Sequence, residues 1–249
     1  MQDKITLGMN RTGIKASPLD AAELLEVMEL QDRTPVPALD IDALRRLYRE
    51  DAEPVGSVPP PTSIKGVFGA TKEALMGHRM HILLDKLGER AAYERSGTRL
   101  YDGMLSKLQD VTDLPPGMTV DAVREIRDEE ASHFALLADA IERLGGDSTT
   151  QTPCADVTGV QGLGLIQAMN DPRTTLAQAL QTLLAAEVID VASWELLIEL
   201  AQGFDQDELV TQFNHALARE QEHEIRVKGW LSAELSRDAL GRDADASVQ

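Results

Sequence analysis

The chain has 249 residues and a formal net charge of −18 at pH 7, with 42 acidic and 24 basic side chains. A negative field of this size repels nucleic acid phosphates and attracts cations, so it argues against nucleic acid as a partner. No stretch approaches the roughly 18 uncharged apolar residues that a membrane span requires, which argues against a membrane partner.

The chain has one cysteine, Cys154, so an intrachain disulfide is excluded. This composition fits a reducing compartment. The first residues, MQDKITLGMNRTG, lack the apolar segment of a secretory signal. Together these features predict a cytoplasmic location.

Residues 1–62 are predicted to form an N-terminal extension with two short helices. One begins at Pro18, a favoured first helical position, and the other begins at Asp40 or Asp42. The proline run at 58–61 predicts a stiff, extended linker. The extension is expected either to pack on the main domain or to reach a neighbouring subunit.

Four longer stretches have helical periodicity, and they predict an all-α domain over residues 63–236. They lie at about residues 71–109, 119–144, 174–202 and 206–235. The connection at 145–173 is rich in Gly, Thr and Pro, and a short helix is expected within it at 163–169. A polar tail follows at 237–249.

Two Glu-x-x-His pairs occur in the second and fourth of these helices: Glu130 with His133, and Glu220 with His223. Residues i and i+3 share a helix face, so each pair presents one carboxylate and one imidazole in the same direction. A single pair is weak evidence, because Glu is common in helices and a histidine often has chance neighbours.

The first and third helices each add one inward-facing carboxylate, at Glu94 and Glu187. The full order is therefore Glu, Glu-x-x-His, Glu, Glu-x-x-His. Four carboxylates and two imidazoles on four helices are the ligands of a di-iron or di-manganese site in a bundle core. The ordered set of six favours a metal site over a chance arrangement of surface side chains.

Other carboxylates compete for these roles. Glu129, Glu222 and Glu224 lie close to the two pairs but lack the i, i+3 relation, and Glu89 competes with Glu94. Asp190 lies one turn after Glu187. It is predicted either to accept a hydrogen bond from the second nitrogen of a metal-bound histidine or to be an ordinary surface residue.

Aromatic residues two turns beyond the proposed ligands, Tyr101, Trp194 and Trp230, are interpreted as core packing in preference to electron transfer. A second metal site at His78 and His81 is disfavoured, because no cluster of carboxylates lies near them in sequence.

At these residues the chain resembles the ferritin-like superfamily, which includes ferritins, bacterioferritins, rubrerythrins and manganese catalases. The resemblance covers about residues 70–235 and is strongest in LGERAAYERSGTRLY, IRDEEASHFALL, LLAAEVIDVASWELL and ALAREQEHEIRVKGWL. It implies a ferritin-like four-helix bundle with a long crossover between its second and third helices. It also implies two Fe ions per chain, with Mn as the alternative, and Glu130 and Glu220 as bridging ligands.

The resemblance further implies an oxidoreductase that uses dioxygen or peroxide, with ferroxidase or peroxide-reducing activity in iron handling or oxidative stress. The chain has no Cys-x-x-Cys pair for the second iron site of rubrerythrins, so its electrons must come from elsewhere. A homo-oligomer, dimeric or larger, is expected. The alternatives are a di-manganese catalase-like enzyme, an iron-storage shell and a metal-free helical scaffold.

Overall fold

The computed structural model describes residues 18–30, 40–61 and 79–240. Within these ranges it contains helices and no strands, so the all-α prediction is confirmed. The helices are α1 (Pro18–Leu30), α2 (Ile41–Asp51), α3 (Met80–Leu108), α4 (Val120–Arg143), α5 (Pro153–Asn170), α6 (Leu176–Gly203) and α7 (Asp207–Leu240). The predicted start of the first long helix near residue 71, and His78, lie outside the described residues.

The helices divide into two compact units, with α1 and α2 in one and α3 to α7 in the other. Of the two predicted starts for α2, the structure has Asp40. Its carboxylate accepts hydrogen bonds from the backbone N–H groups of Asp42 and Ala43, at 3.1 and 3.0 Å. These bonds satisfy donors that the first turn of a helix otherwise leaves free.

Two of the long helices of the larger unit, α4 and α6, begin at side-chain caps. Thr119 accepts a hydrogen bond from the backbone N–H of Ala122 at the start of α4, where the sequence predicted this helix to begin. Thr175 and Gln178 form a reciprocal capping box at the start of α6. Gly145 follows α4 with φ of 85°, a backbone conformation that glycine adopts without strain.

Two apolar clusters fill the bundle, and each draws on all four long helices. The first includes Leu100, Ile126, Leu183 and Val227, and the second includes Leu87, Leu137, Leu197 and Phe213. Helix α3 begins in the second cluster and ends in the first, and α4 runs in the opposite direction. Likewise α6 passes from the first cluster to the second, and α7 returns. The bundle therefore consists of two antiparallel hairpins, α3–α4 and α6–α7, and the connection between them crosses its length.

That crossover contains α5, which is much longer than the helix predicted at 163–169. Thr152 caps it and Pro153 occupies its first turn. The glycines of residues 145–173 favoured a loop prediction, because glycine is a poor helix former. Packing outweighs this preference, because Ala155, Thr158 and Met169 are buried on one face of α5 and the helix lies against α3.

At the other end of the bundle, α7 continues to Leu240, past its predicted end near residue 235. Arg237 holds this last segment by pairing with Glu234 and, at 2.8 Å, with Asp113. Among the described residues, no helix combines the length and apolar character needed to cross a membrane.

Candidate metal centre

A polar layer separates the two apolar clusters at the middle of the bundle. Each long helix contributes two side chains to it: Arg90 and Glu94, Glu130 and His133, Glu187 and Asp190, Glu220 and His223. All eight are buried, with at most 7% of their surface exposed. The structure thus brings together all seven residues that the sequence singled out and adds Arg90.

The potential ligand atoms form overlapping groups within 4.8 Å of one another. One group joins Glu94, His133 and Glu220, and a second joins Glu130, Glu187, Glu220 and His223. Glu220 belongs to both groups, and its Oε1 lies against His133 while its Oε2 lies against His223. A third group, made only of oxygens, joins Glu94, Glu130, Asp190 and Glu220.

Four carboxylate oxygens in this layer are buried without a hydrogen-bond partner: Glu94 Oε2, Glu130 Oε2, Glu187 Oε2 and Glu220 Oε1. His133 Nδ1 lies against Glu220 Oε1, but without the alignment of a hydrogen bond. A buried polar atom with no hydrogen-bond partner costs free energy, and this layer holds four such oxygens on carboxylates that lie close together. Divalent cations would satisfy all four, so these residues fit a two-metal centre.

The remaining oxygens of the two single glutamates are already held by donors. Glu94 Oε1 accepts hydrogen bonds from Trp194 Nε1 at 2.9 Å and from Arg90 at 2.7 Å. Glu187 Oε1 accepts a hydrogen bond from the hydroxyl of Tyr101. Each glutamate therefore has one oxygen anchored and one oxygen left for a ligand. Tyr101 and Trp194 are buried in the core, as expected, and they also orient these carboxylates.

Sequence reasoning did not identify the partner of His223. Its Nε2 donates a hydrogen bond to Glu129 at 2.6 Å, and Arg219 donates to the same carboxylate at 2.9 Å. Partial burial opposes ionisation of Glu129, but the hydrogen bonds from His223 and Arg219 outweigh it and lower the pKa of this carboxyl. Glu129 therefore accepts, which leaves His223 Nδ1 facing Glu220 at 3.1 Å.

Asp190 is buried, so it is not the surface residue that was one of its two predicted roles, and its partner is not the histidine of the other. Its carboxylate accepts a hydrogen bond from Arg90, whereas the hydrogen bond that the second nitrogen of His223 makes is to Glu129. Arg90 thus links Asp190 to Glu94. The i, i+4 spacing of Arg90 and Glu94 was a signal that could have revealed this arginine.

The competing carboxylates point elsewhere. Glu89 pairs with Lys86, and Glu222 pairs with Arg219 near the surface. Gly97 leaves room for the preferred ligand, because a methyl group at this position would overlap Glu130 Oε2. His81 is exposed.

Burial is the largest influence on the carboxyl groups of this layer. It raises the pKa of Glu94, Glu130 and Asp190, and raises that of Glu187 to about 8, with repulsion from Glu220 adding to the shift. Glu220 is the exception. Burial disfavours its charge, yet the contacts of its two oxygens with His133 and His223 prevail and lower its pKa to about 2.

His223 shows the complementary effect. Burial favours its neutral form, but Glu220 outweighs burial and raises the pKa of His223 to about 9. With every carboxyl ionised and both histidines neutral, five carboxylates and one guanidinium carry four net negative charges. Two divalent cations would neutralise that charge, whereas the metal-free layer must retain protons.

Similarity to known proteins is found among solved structures. No protein-family profile and no curated protein matches the chain. The crystal structure of ferritin-like, diiron-carboxylate proteins from Bacillus anthracis str. Ames is similar to part of it. That structure is 21% identical in sequence and covers 60% of this chain and 94% of its own, with a TM-score of 0.48.

Two antiparallel hairpins, a long crossover and a buried layer of carboxylates and imidazoles define the class. The fold is a ferritin-like four-helix bundle, as the sequence predicted. The layer at its centre is a cluster of buried carboxylates and imidazoles that could bind metal ions.

Proposed function

We propose that this chain is a di-metal carboxylate protein that binds two iron ions and reduces dioxygen or peroxide with their electrons. Manganese is the alternative metal. The observation that carries the proposal is a set of four buried glutamates, each with one oxygen that lacks a hydrogen-bond partner, whose potential ligand atoms form overlapping groups within 4.8 Å. An ordinary bundle core would not retain this arrangement, because apolar side chains of similar volume would cost far less to bury.

The ligand groups support a division of the six proposed ligands between two positions. Glu94 and His133 would complete one position, and Glu187 and His223 would complete the other. Glu220 belongs to both groups, and Glu130 belongs to the group of His223 and to the all-oxygen group with Glu94. These two carboxylates would therefore be shared between the ions.

Two Fe(II) ions would together supply the two electrons that convert dioxygen and two protons to hydrogen peroxide, or hydrogen peroxide and two protons to water. The chain's own residues would exclude bulk water and hold the ligands in place. The apolar clusters close the layer on both sides. Trp194 and Tyr101 restrict rotation of Glu94 and Glu187. Arg90 balances the charge of Asp190 beside the centre.

The first experiment is elemental analysis of the purified protein beside a Glu130→Ala/Glu220→Ala double variant. About two Fe or Mn per chain in the wild type, and almost none in the variant, is the expected result. The variant should fold, because it removes carboxylates that repel others in the metal-free state. A Glu195→Ala/Glu199→Ala variant is the control, since both of these glutamates are exposed on α6 and should not affect the metal.

Activity is then measured on protein loaded anaerobically with Fe(II). Dioxygen or hydrogen peroxide is added, and Fe(III) absorbance and residual peroxide are followed. Oxidation in the wild type that is absent from the double variant would support the proposal. Failure to retain any Fe or Mn, after both aerobic and anaerobic loading, would overturn it in favour of a metal-free scaffold.

A further inference from the structure

The two histidines of the polar layer have unequal surroundings. We propose that the two metal positions are unequal in consequence: the position at Glu187 and His223 binds the first ion tightly, and the position at Glu94 and His133 holds a second, exchangeable ion. This inference rests on the proposed di-metal function and specifies how the centre is loaded.

His223 is fixed on both sides of its ring. It is fully buried, and its Nε2–H donates to Glu129, which Arg219 in turn holds at 2.9 Å. This contact fixes the tautomer and places the lone pair of Nδ1 toward the centre. It also makes the imidazole a stronger electron donor. A ligand already oriented in this way loses little freedom when it binds an ion.

His133 lacks this support. It is 7% exposed, and within the described part of the chain no side chain or backbone group makes a hydrogen bond with its Nε2. Its closest ring neighbour is Trp194, in an edge contact with the ring centroids 5.8 Å apart, which cannot select a tautomer.

The difference comes from one position in the repeated pattern. The residue before Glu130 is Glu129, which reaches across to His223. The corresponding residue before Glu220 is Arg219, which has no acceptor to offer His133 and instead binds Glu129. This single difference between the two halves of the pattern therefore supports the histidine of one metal position and leaves the histidine of the other unsupported.

The single glutamates add to the inequality. Glu94 Oε1 accepts a hydrogen bond from the charged Arg90, at 2.7 Å, as well as one from Trp194. A guanidinium this close withdraws charge from the carboxylate and repels a cation beside it, although Asp190 offsets part of that repulsion. Glu187 is held instead by the hydroxyl of Tyr101, an uncharged donor.

The test is a titration of the metal-free, full-length protein with Mn²⁺ alone, followed by electron paramagnetic resonance. The first equivalent is expected to give the six-line spectrum of isolated Mn²⁺ ions, and the second to replace it with the spectrum of coupled pairs. Loss of an outer partner of a metal-bound histidine weakens binding about 10- to 100-fold. The first dissociation constant should therefore be at least about 10-fold below the second.

Two variants assign the steps. His133→Ala should retain one Mn²⁺ per chain with the first dissociation constant of the wild type, and His223→Ala should lose the tight step. Circular dichroism establishes that each variant is folded, and the wild-type titration needs no variant at all. Coupled pairs from the first addition, equal constants, or a tight ion kept by His223→Ala and lost by His133→Ala would overturn the inference while leaving a di-metal protein. Absence of any bound Mn²⁺ or Fe²⁺ would overturn the proposed function as well.

Discussion

Glu129 and His223 form a hydrogen bond of 2.6 Å between α4 and α7, the second helices of the two hairpins. Glu129 is a neighbour of the proposed ligand Glu130 in sequence, yet it serves the opposite hairpin. This hydrogen bond links the two hairpins through a proposed ligand, so we expect it to contribute both to the packing of the bundle and to its affinity for metal.

Replacing Glu129 with Ala is expected to weaken metal binding by about 10- to 100-fold, because His223 loses the acceptor that orients its ring. Competition with a chelator of known affinity measures the change. The matched control is Glu125→Ala, one turn earlier on α4, since Glu125 also pairs with an arginine of α7, Arg226, but near the surface. Equal effects of the two substitutions would refute the orienting role.

Gly97→Ala tests whether the space beside Glu130 matters. Alanine normally stabilises a helix by about 0.5–1 kcal/mol relative to glycine. Here its methyl group would overlap Glu130 Oε2, so the carboxylate must turn away and bound metal should fall well below the wild-type content.

Gly229→Ala on α7 is the control for Gly97→Ala, because its methyl group would meet open space. It should keep full metal content with unchanged or slightly greater thermal stability. Elemental analysis and thermal melts are run on both variants. Full metal content in Gly97→Ala would show that Glu130 does not need its present orientation.

Arg90→Met is expected to lower the free energy of unfolding of the metal-free protein by about 3–5 kcal/mol, since Asp190 and Glu94 would lose a buried cation. The Arg90→Met/Asp190→Asn double variant should lose less free energy of unfolding than the sum of the losses of the two single variants, because the two side chains interact directly. Urea denaturation measures the free energy of unfolding of both single variants and of the double variant.

Arg143→Met is the comparison for the buried arginine. Arg143 pairs with Asp139 and Glu208 at the surface, where ion pairs contribute about 1 kcal/mol or less. A loss for Arg90→Met that is no larger than the loss for Arg143→Met would contradict the proposed charge balance.

The metal-free protein should lose stability as pH rises from mildly acidic values. The folded-state pKa of Glu187 is about 8, above its ordinary 4.5, so the folded state binds more protons between these values and stability falls as pH rises through that window. His223, at about 9 against an ordinary 6.5, contributes stability that is lost as pH rises through 9. Glu220 has a lowered pKa, so the stability that its ionised form contributes is lost as pH falls from 4.5 toward 2.

Thermal melts with excess chelator at about pH 5.5 and about pH 8.5 test this expectation, and the melting temperature should be lower at the higher pH. Metal binding requires deprotonated ligands, so stabilisation by added Mn²⁺ should instead grow with pH. A metal-free melting temperature that rises over this interval would contradict the pKa assignments.

The positions of the proposed ligands could be predicted from the sequence, because they depend on spacing within single helices. Glu130 and His133 share a face wherever the helix lies, and the order of the ligands requires only the hairpin topology. The bounds of α4 and α6 were predicted to within about two residues, because Thr119 marks the start of α4 and a glycine lies at or just past the end of each helix.

Contacts between helices could not be predicted in the same way. The bond between Glu129 and His223 depends on the register of α4 against α7, and that of Arg90 with Asp190 depends on the register of α3 against α6. Register is set by the packing of apolar side chains in three dimensions, which the pattern of a single helix does not contain. The length of α5 was missed for a related reason, since packing on α3 outweighs its glycines.

The division of the bundle into two apolar clusters affects how the metal-free chain fluctuates. Each cluster joins all four long helices, so either end of the bundle is held together without the other. Most helical bundles open first at their frayed ends. Here the repulsive layer is at the centre, so the backbone amides of the middle turns should exchange with solvent more readily than those of the flanking turns until metal is bound. The weakest part of this molecule in its metal-free state would therefore coincide with its most deeply buried part.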